Sequence, residues 1–220
     1  MRNKYIMLLV ISLALSISLF GCGGGSSAPP QIVTQILSDP AFDGDIKVPL
    51  TGTIVVTQGM TPSVQSVFSG IDPATGAEFR AFLDFPLTGV GGVPGNAVIV
   101  SATLDIVIDS IQPPAGTIPI RIDLVSFQPP TLIPTDFDPG IQRALAITAI
   151  VPPISPADVG QHVFVDVTSL MMEAQRLGLP DFQIRILEDL GAVSPGLIEI
   201  NDTTGAFRGD LAPLLQVTYF

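Results

Sequence analysis

Apolar and polar residues alternate with a period of two along much of this chain, most clearly from residue 64 onward. The apolar members of the three strongest runs are Leu104, Ile106 and Ile108; Ile118, Ile120, Ile122 and Leu124; and Phe182, Ile184 and Ile186. Successive side chains of a strand point to opposite faces, so each run predicts a strand with one face on a core. We expect the other face to be wet, as in most antiparallel sheets. The residues on that face include Thr103, Asp105, Asp109, Arg121, Asp123, Gln183 and Arg185.

Turn clusters rich in Gly, Pro, Asn and Asp separate these runs, at 89–96, 112–116, 128–140 and 152–160. The chain has 21 glycines and 21 prolines, and prolines at this density disfavour long helices. Short strands with regular turns favour a sandwich over a parallel α/β sheet. The predicted fold is therefore all-β, a jelly-roll-like antiparallel β-sandwich.

One segment has a helical period instead. Residues 166–177 carry an apolar stripe made of Val167, Leu170, Met171, Ala174 and Leu177. Asp166 or Thr168 can cap the start of this helix, and Gly178 followed by Pro180 can end it. We expect one short amphipathic helix that covers an open end or edge of the sandwich.

The N-terminus has the pattern of an export signal. Arg2 and Lys4 precede an apolar run over residues 6–20, and Cys22, the only cysteine, follows Gly21. This segment resembles the lipobox of bacterial lipoproteins, which implies cleavage before Cys22 and acylation of its thiol. An ordinary signal peptide with an incidental cysteine is the alternative, and a transmembrane anchor is disfavoured by the short run.

These features divide the chain into a signal peptide (1–21), a lipidated cysteine with a flexible Gly/Ser tether (22–30), a segment of uncertain structure that supplies the first strand or strands (31–63), and the main sandwich domain (64–220). By analogy with other lipoproteins, Gly23 in place of an aspartate implies the outer membrane in a cell with two membranes. The predicted location is the cell envelope, with a membrane partner through the lipid.

The charge excludes one class of partner. Without the first 21 residues, seven basic and twenty acidic residues remain, a net charge of −13. Such a surface repels nucleic acid, so none is expected as a partner. Acylation of Cys22 also leaves no thiol for a disulfide, so the core alone has to stabilise the body.

Four segments in order resemble DNRLRE-type domains of secreted bacterial and archaeal proteins, which are related to disaggregatase repeats and to an alginate-binding carbohydrate module. They are RAFLDF at 80–85, VSATL at 100–104, FVDVTSL at 164–170 and PLLQVTY at 213–219. The resemblance spans residues 64–220. It implies a jelly-roll β-sandwich and a non-catalytic module of surface or cell-wall proteins.

Catalytic residues are not evident in the sequence. His162 is the sole histidine and directly precedes a predicted strand, so an exposed residue at a strand start is the simpler interpretation. The glycines at 91–95 lack the lysine and helix of a phosphate-binding loop. We therefore expect a protein that is not an enzyme.

Two kinds of ligand site remain as hypotheses. Asp136 and Asp138 lie in one loop and offer the hard oxygens that calcium accepts, although Asp also favours turns for backbone reasons. For a polysaccharide, Phe127 and Phe137 flank a proline-rich loop, and Arg121 and Arg185 lie on the predicted wet face. Core packing is the commoner fate of Phe, and Trp, the usual sugar-stacking residue, is absent.

Two functions follow from different classes of protein. The first is a non-catalytic envelope module with a structural or adhesive role, and the alternative is a carbohydrate-binding module that captures polysaccharide. A row of exposed aromatic or arginine side chains on one sheet face would favour the alternative. A face lined with Thr, Asp and small residues would favour the first.

Overall fold

The computed structural model describes residues 29–128, 130–189 and 195–220. The predicted signal peptide, Cys22 and nearly all of the tether lie outside the described residues. Gln31–Phe220 forms one compact unit. No helix in the described ranges is both long enough and apolar enough to cross a membrane.

Strands dominate this unit, which confirms the predicted all-β class. The strands are β1 (Ile32–Leu37), β2 (Gly44–Val48), β3 (Val55–Gln58), β4 (Ser66–Ile71), β5 (Glu78–Pro86), β6 (Ile99–Gln112), β7 (Ile120–Val125), β8 (Ala146–Ala149), β9 (His162–Asp166), β10 (Asp181–Glu188), β11 (Leu197–Asn201) and β12 (Leu214–Tyr219). The helices are α1 (Thr168–Leu177) and the single turn α2 (Arg208–Leu211), with 3₁₀ turns at Pro134–Phe137 and Pro156–Asp158.

The strands form one curled antiparallel sheet with two layers. One layer has the order β1-β12-β6-β9, and the other has the order β6-β11-β4-β5-β10-β7-β8, with β2 paired to β5 and β3 paired to β2. The ladders that join these strands are antiparallel. The segment 31–63 therefore supplies three strands of the same sheet.

Strand β6 belongs to both layers. Its first half pairs with β12 and β9, and its second half pairs with β11. The register against β11 skips Asp109, which makes a β-bulge that reverses the alternation of the strand. As a result Ile108 and Ile111, three residues apart, are both buried in the main core.

The main core lies between the layers and contains the inward residues of all three runs predicted from the period of two. Helix α1 closes this core with Leu170, Met171 and Ala174. Asp166 accepts a hydrogen bond from the backbone N–H of Thr168 at 2.9 Å. The helix ends at Gly178, whose φ of 65° suits a left-handed cap. The predicted amphipathic helix is confirmed, two residues shorter at its start.

A second cluster packs on the face of β5, β7 and β10 that points away from the main core, and we call this face with its cover the outer layer. It contains Ile46, Phe82, Val125, Phe127 and Leu132, with Val56 and Phe137 at its edge. The hairpin β2–β3 and residues 126–128 and 130–145, which we call the covering loop, cover this face. The expectation that the polar face of β7 and β10 is wet is therefore wrong, and Asp123, Gln183 and Arg185 are buried.

We predict that shortening a buried side chain of β6, the strand that both layers share, destabilises the whole unit. Ile106 is fully buried, and Ile106→Ala should cost about 2–5 kcal/mol in the free energy of unfolding because it leaves a cavity between the layers. Val100, on the same strand, is 40% exposed, so Val100→Ala serves as the control and should change stability by no more than about 0.5 kcal/mol. Urea unfolding of residues 31–220 measures both, and equal losses would contradict the role of β6.

Candidate functional site

Arg185 is the centre of the outer layer and not a solvent-facing residue. Its Nη2 and Nε donate to one carboxylate oxygen of Asp123, at 2.7 and 3.2 Å. Its Nη1 donates at 3.0 Å to the backbone carbonyls of Asp136 and Gln142, both in the covering loop. Both charged side chains are fully buried. Burial lowers the pKa of Arg185, and the hydrogen bond with Asp123 opposes that shift.

The neighbouring arginines are engaged in the same layer. Arg80 pairs with Glu78 at 2.6 Å, donates to the carbonyl of Phe137 and lies 3.9 Å over the ring of Phe137. Arg121 pairs with Asp123 at 2.8 Å. Arg80 and Arg185 therefore hold the covering loop on the strands beneath it, and Arg121 is paired along its own strand. They do not form an open basic row.

The predicted calcium residues serve backbone geometry. Asp136 is buried, and its carboxylate accepts the N–H of Ile133 at 2.9 Å at the start of the 3₁₀ turn. Asp138 accepts the N–H of Gly140 at 2.7 Å. Within the described ranges, no three Asp, Glu, His or Cys side chains are grouped so that they could hold a metal ion.

The two predicted aromatic residues face inward. Phe127 is buried and meets Phe82 edge to face, with ring centroids 5.9 Å apart. Phe137 is half-buried beneath Arg80. Neither ring is available as a flat exposed surface, because the second cluster uses both.

His162 begins β9, as the sequence predicts, and is exposed. Its Nδ1 lies 2.9 Å from a carboxylate oxygen of Asp105 on β6. The imidazole stacks on Phe164, with centroids 6.0 Å apart and an interplanar angle of 12°. A hydroxyl or thiol nucleophile is not among these contacts, so the geometry is that of a cross-strand pair.

A cleft that the sequence does not predict lies beside β2, β3, β4 and β5 and has a volume of about 370 Å³. We call it the phenylalanine cleft, because Phe68 and Phe79 form a tilted pair in its wall, 5.8 Å apart. Lys47 lies opposite Phe79 on the adjacent strand, and its Nζ is 5.2 Å from the ring centroid. The polar lining residues are Asp45, Thr57, Ser63, Gln65 and Ser66.

Asp45 contributes a titratable carboxyl group to the lining of this cleft. Burial raises its pKa to about 7, while a hydrogen bond from the backbone of Phe68 and the charge of Lys47 oppose the shift. The cleft thus combines aromatic faces, a cation, hydroxyls and a carboxyl that titrates near neutrality. Its residues come from four strands, β2, β3, β4 and β5, and from the loop before β4, and no local motif joins them.

Comparisons with known proteins give no family. No protein-family model matches the chain, and no curated protein matches it either. Among solved structures, the chain is similar to one in the structure of infectious bursal disease virus Gx strain, with 13% identity and a TM-score of 0.17. The match covers 88% of this chain and 38% of the length of the viral chain. A TM-score this low carries no argument about fold or function.

We predict that Arg185 is needed for stability. Arg185→Ala should cost about 3–5 kcal/mol. It leaves Oδ2 of the buried Asp123 without its two closest donors, although Arg121 still pairs with Oδ1, and it leaves two loop carbonyls without their partner. Arg143, an exposed arginine in the covering loop, provides the matched control, and Arg143→Ala should stay within about 0.5 kcal/mol. Chemical denaturation compares the two. A small, equal effect would mean that Arg185 does not hold the layer together.

Proposed function

We propose that this protein is a non-catalytic, lipid-anchored module of the cell envelope with a structural or adhesive role. The observation that carries the proposal is that the arginines of the outer layer are paired with groups of the protein itself. Arg80, Arg121 and Arg185 are bound within the outer layer, where their partners are carboxylates and loop carbonyls. Such contacts stabilise a scaffold and leave these groups unavailable to a substrate.

The surface composition fits the same role. The pocket between β8, β9 and α1 has Thr148, Asp166, Thr168 and Ser169 in its lining, together with the exposed Phe164. Of the arginines that would favour polysaccharide capture, Arg185 lies under the covering loop and Arg121 is paired with Asp123. The resemblance to DNRLRE-type domains, which occur on surface proteins, supports the same assignment.

The N-terminal pattern supplies the anchor in this proposal. Acylated Cys22 would hold the protein at the membrane, and the Gly/Ser segment would separate the compact unit from the lipid surface.

The anchor is tested by Cys22→Ser in cells that process lipoproteins. We expect the wild type in the membrane fraction with a lipid-modified N-terminus, and the variant without lipid and released from the membrane. Ser27→Ala, five residues along the tether, serves as the control and should behave as the wild type. Fractionation and intact-mass spectrometry give the result, and an unmodified wild-type cysteine would contradict the proposal.

A second function, polysaccharide capture, has support from the phenylalanine cleft. Phe68 and Phe79 offer apolar faces, and Lys47, Thr57, Ser63 and Ser66 offer hydrogen-bonding groups around them. Sugar-binding sites combine these two kinds of group, because a pyranose has an apolar face and a ring of hydroxyls. The sugar-binding site that we propose is therefore this cleft, and not the covering loop that the sequence suggested.

Residues 31–220 on a glycan array, with calcium and again with a chelator, test this second function. If the cleft binds a saccharide, Phe79→Ala should lower the affinity at least about tenfold, as the loss of a stacking face implies. Phe164→Ala, which removes a 68% exposed ring from another part of the surface, is the matched control. A blank array would rule out this function. Binding that is lost only with the chelator would indicate a calcium-dependent site at Asp136 and Asp138.

A further inference from the structure

Two carboxylates that the function above does not use meet inside the protein. Asp43 lies directly before β2, and Asp202 lies directly after β11. Both are fully buried, and the two carboxyl groups lie close enough for the charge of Asp202 to raise the pKa of Asp43. They join the loop between β1 and β2 to the loop between β11 and α2.

One oxygen of each carboxylate has a conventional partner. Oδ1 of Asp43 accepts the backbone N–H of Asp84 at 2.8 Å. Oδ1 of Asp202 accepts Nη1 of Arg208 at 3.1 Å. The second oxygen of each, Oδ2, is buried with no donor. Unpartnered charged oxygens are costly in a dry environment, so the pair requires something positive between the two groups.

The charges around the pair identify the missing group. Arg208 on α2 is the cation in contact with it, while Ser38 at the end of β1 contributes a hydroxyl 3.5 Å from Asp202. On the β1–β2 loop the carboxylate of Asp39 binds the N–H of Ala41, and on β5 the carboxyl of Asp84 binds Gln183. Two carboxylates and one guanidinium leave one negative charge, which a single proton cancels.

A divalent cation fits the same contacts less well. Calcium takes six to eight oxygen ligands, and Arg208 already occupies one carboxylate. One proton, in contrast, satisfies both Oδ2 atoms at once, because a protonated carboxyl donates and an ionised carboxylate accepts.

We propose that Asp43 and Asp202 share one proton between their Oδ2 atoms, and that this shared proton makes an acid-stabilised clasp between the β1–β2 and β11–α2 loops. Asp43 is the donor and Asp202, held by Arg208, is the acceptor. The clasp tightens in mildly acidic surroundings and loosens when the proton leaves, since two anions then face each other in a dry contact.

The pKa directions agree with this assignment. Burial raises the pKa of Asp43, and the charge of Asp202 raises it further. Burial also raises the pKa of Asp202, while the hydrogen bond from Asp43 and the charge of Arg208 lower it. The folded protein therefore keeps a proton that the unfolded chain releases near pH 4. The stability from the clasp is fully present below that pH and is lost as the pH rises through the folded pKa.

The test compares pH profiles of stability for wild type and Asp43→Asn, measured by urea unfolding between pH 4 and pH 8.5 with EDTA present. The amide of Asn donates to Asp202 at every pH, so the variant should lose the contribution of the clasp to the profile. One proton changes the unfolding constant up to about tenfold per pH unit in the window, and the two profiles should diverge by that factor. Asp138→Asn is the control and should run parallel to wild type, since Asp138 is a surface turn residue.

Parallel profiles for wild type and Asp43→Asn would overturn the proposal. So would calcium that stabilises the wild type in the absence of EDTA and fails to stabilise Asp43→Asn, since a cation would then occupy the contact. If the variant does not fold, a carboxyl ¹³C NMR titration of the wild type decides. Coupled titration of both residues, with one step well above pH 4, supports the clasp, and two independent steps near pH 4 refute it.

Discussion

The fold depends on strand β6, because in the described ladders it is the one strand that pairs with strands of both layers. A strand that serves two layers has to turn, and the bulge at Asp109 provides the turn. Asp109 itself is held by the side-chain amide of Asn201 at 2.9 Å, so the bulge is fixed from the neighbouring strand. Without a disulfide, this continuity and the core that it encloses carry the stability of the body.

The second constraint is the covering loop on the outer layer, which determines which polar side chains solvent can reach. An arginine on a strand can bind a ligand only where solvent reaches it, and here the covering loop supplies the partners that a ligand would otherwise supply. Gln58 anchors that loop from β3, since its side chain bonds both Pro130 and Leu132. The phenylalanine cleft, lined by β2, β3, β4 and β5, keeps polar groups open to a ligand.

The sequence predicts the inward faces of β6, β7 and β10 and the C-terminal end of helix α1, because period, caps and breakers are local signals. It does not predict the fate of Arg185. Arg121 and Arg185 have the same pattern around them, yet Arg121 is half-buried and Arg185 fully buried, since burial depends on the distant covering loop. The sequence does not predict the contact of Asp43 with Asp202 or the phenylalanine cleft for the same reason. Each joins residues far apart in the chain, and no spacing rule connects them.

Native-state hydrogen exchange of the amides of β6 tests this account most directly. If the strand couples the two layers, amides of its first half, such as Leu104, and of its second half, such as Ile111, should exchange only through global unfolding and with the same free energy. Both halves should also respond equally to added denaturant. A first half that opens at a much lower free energy than the second would show that the layers unfold separately, and the central role of β6 would then be wrong.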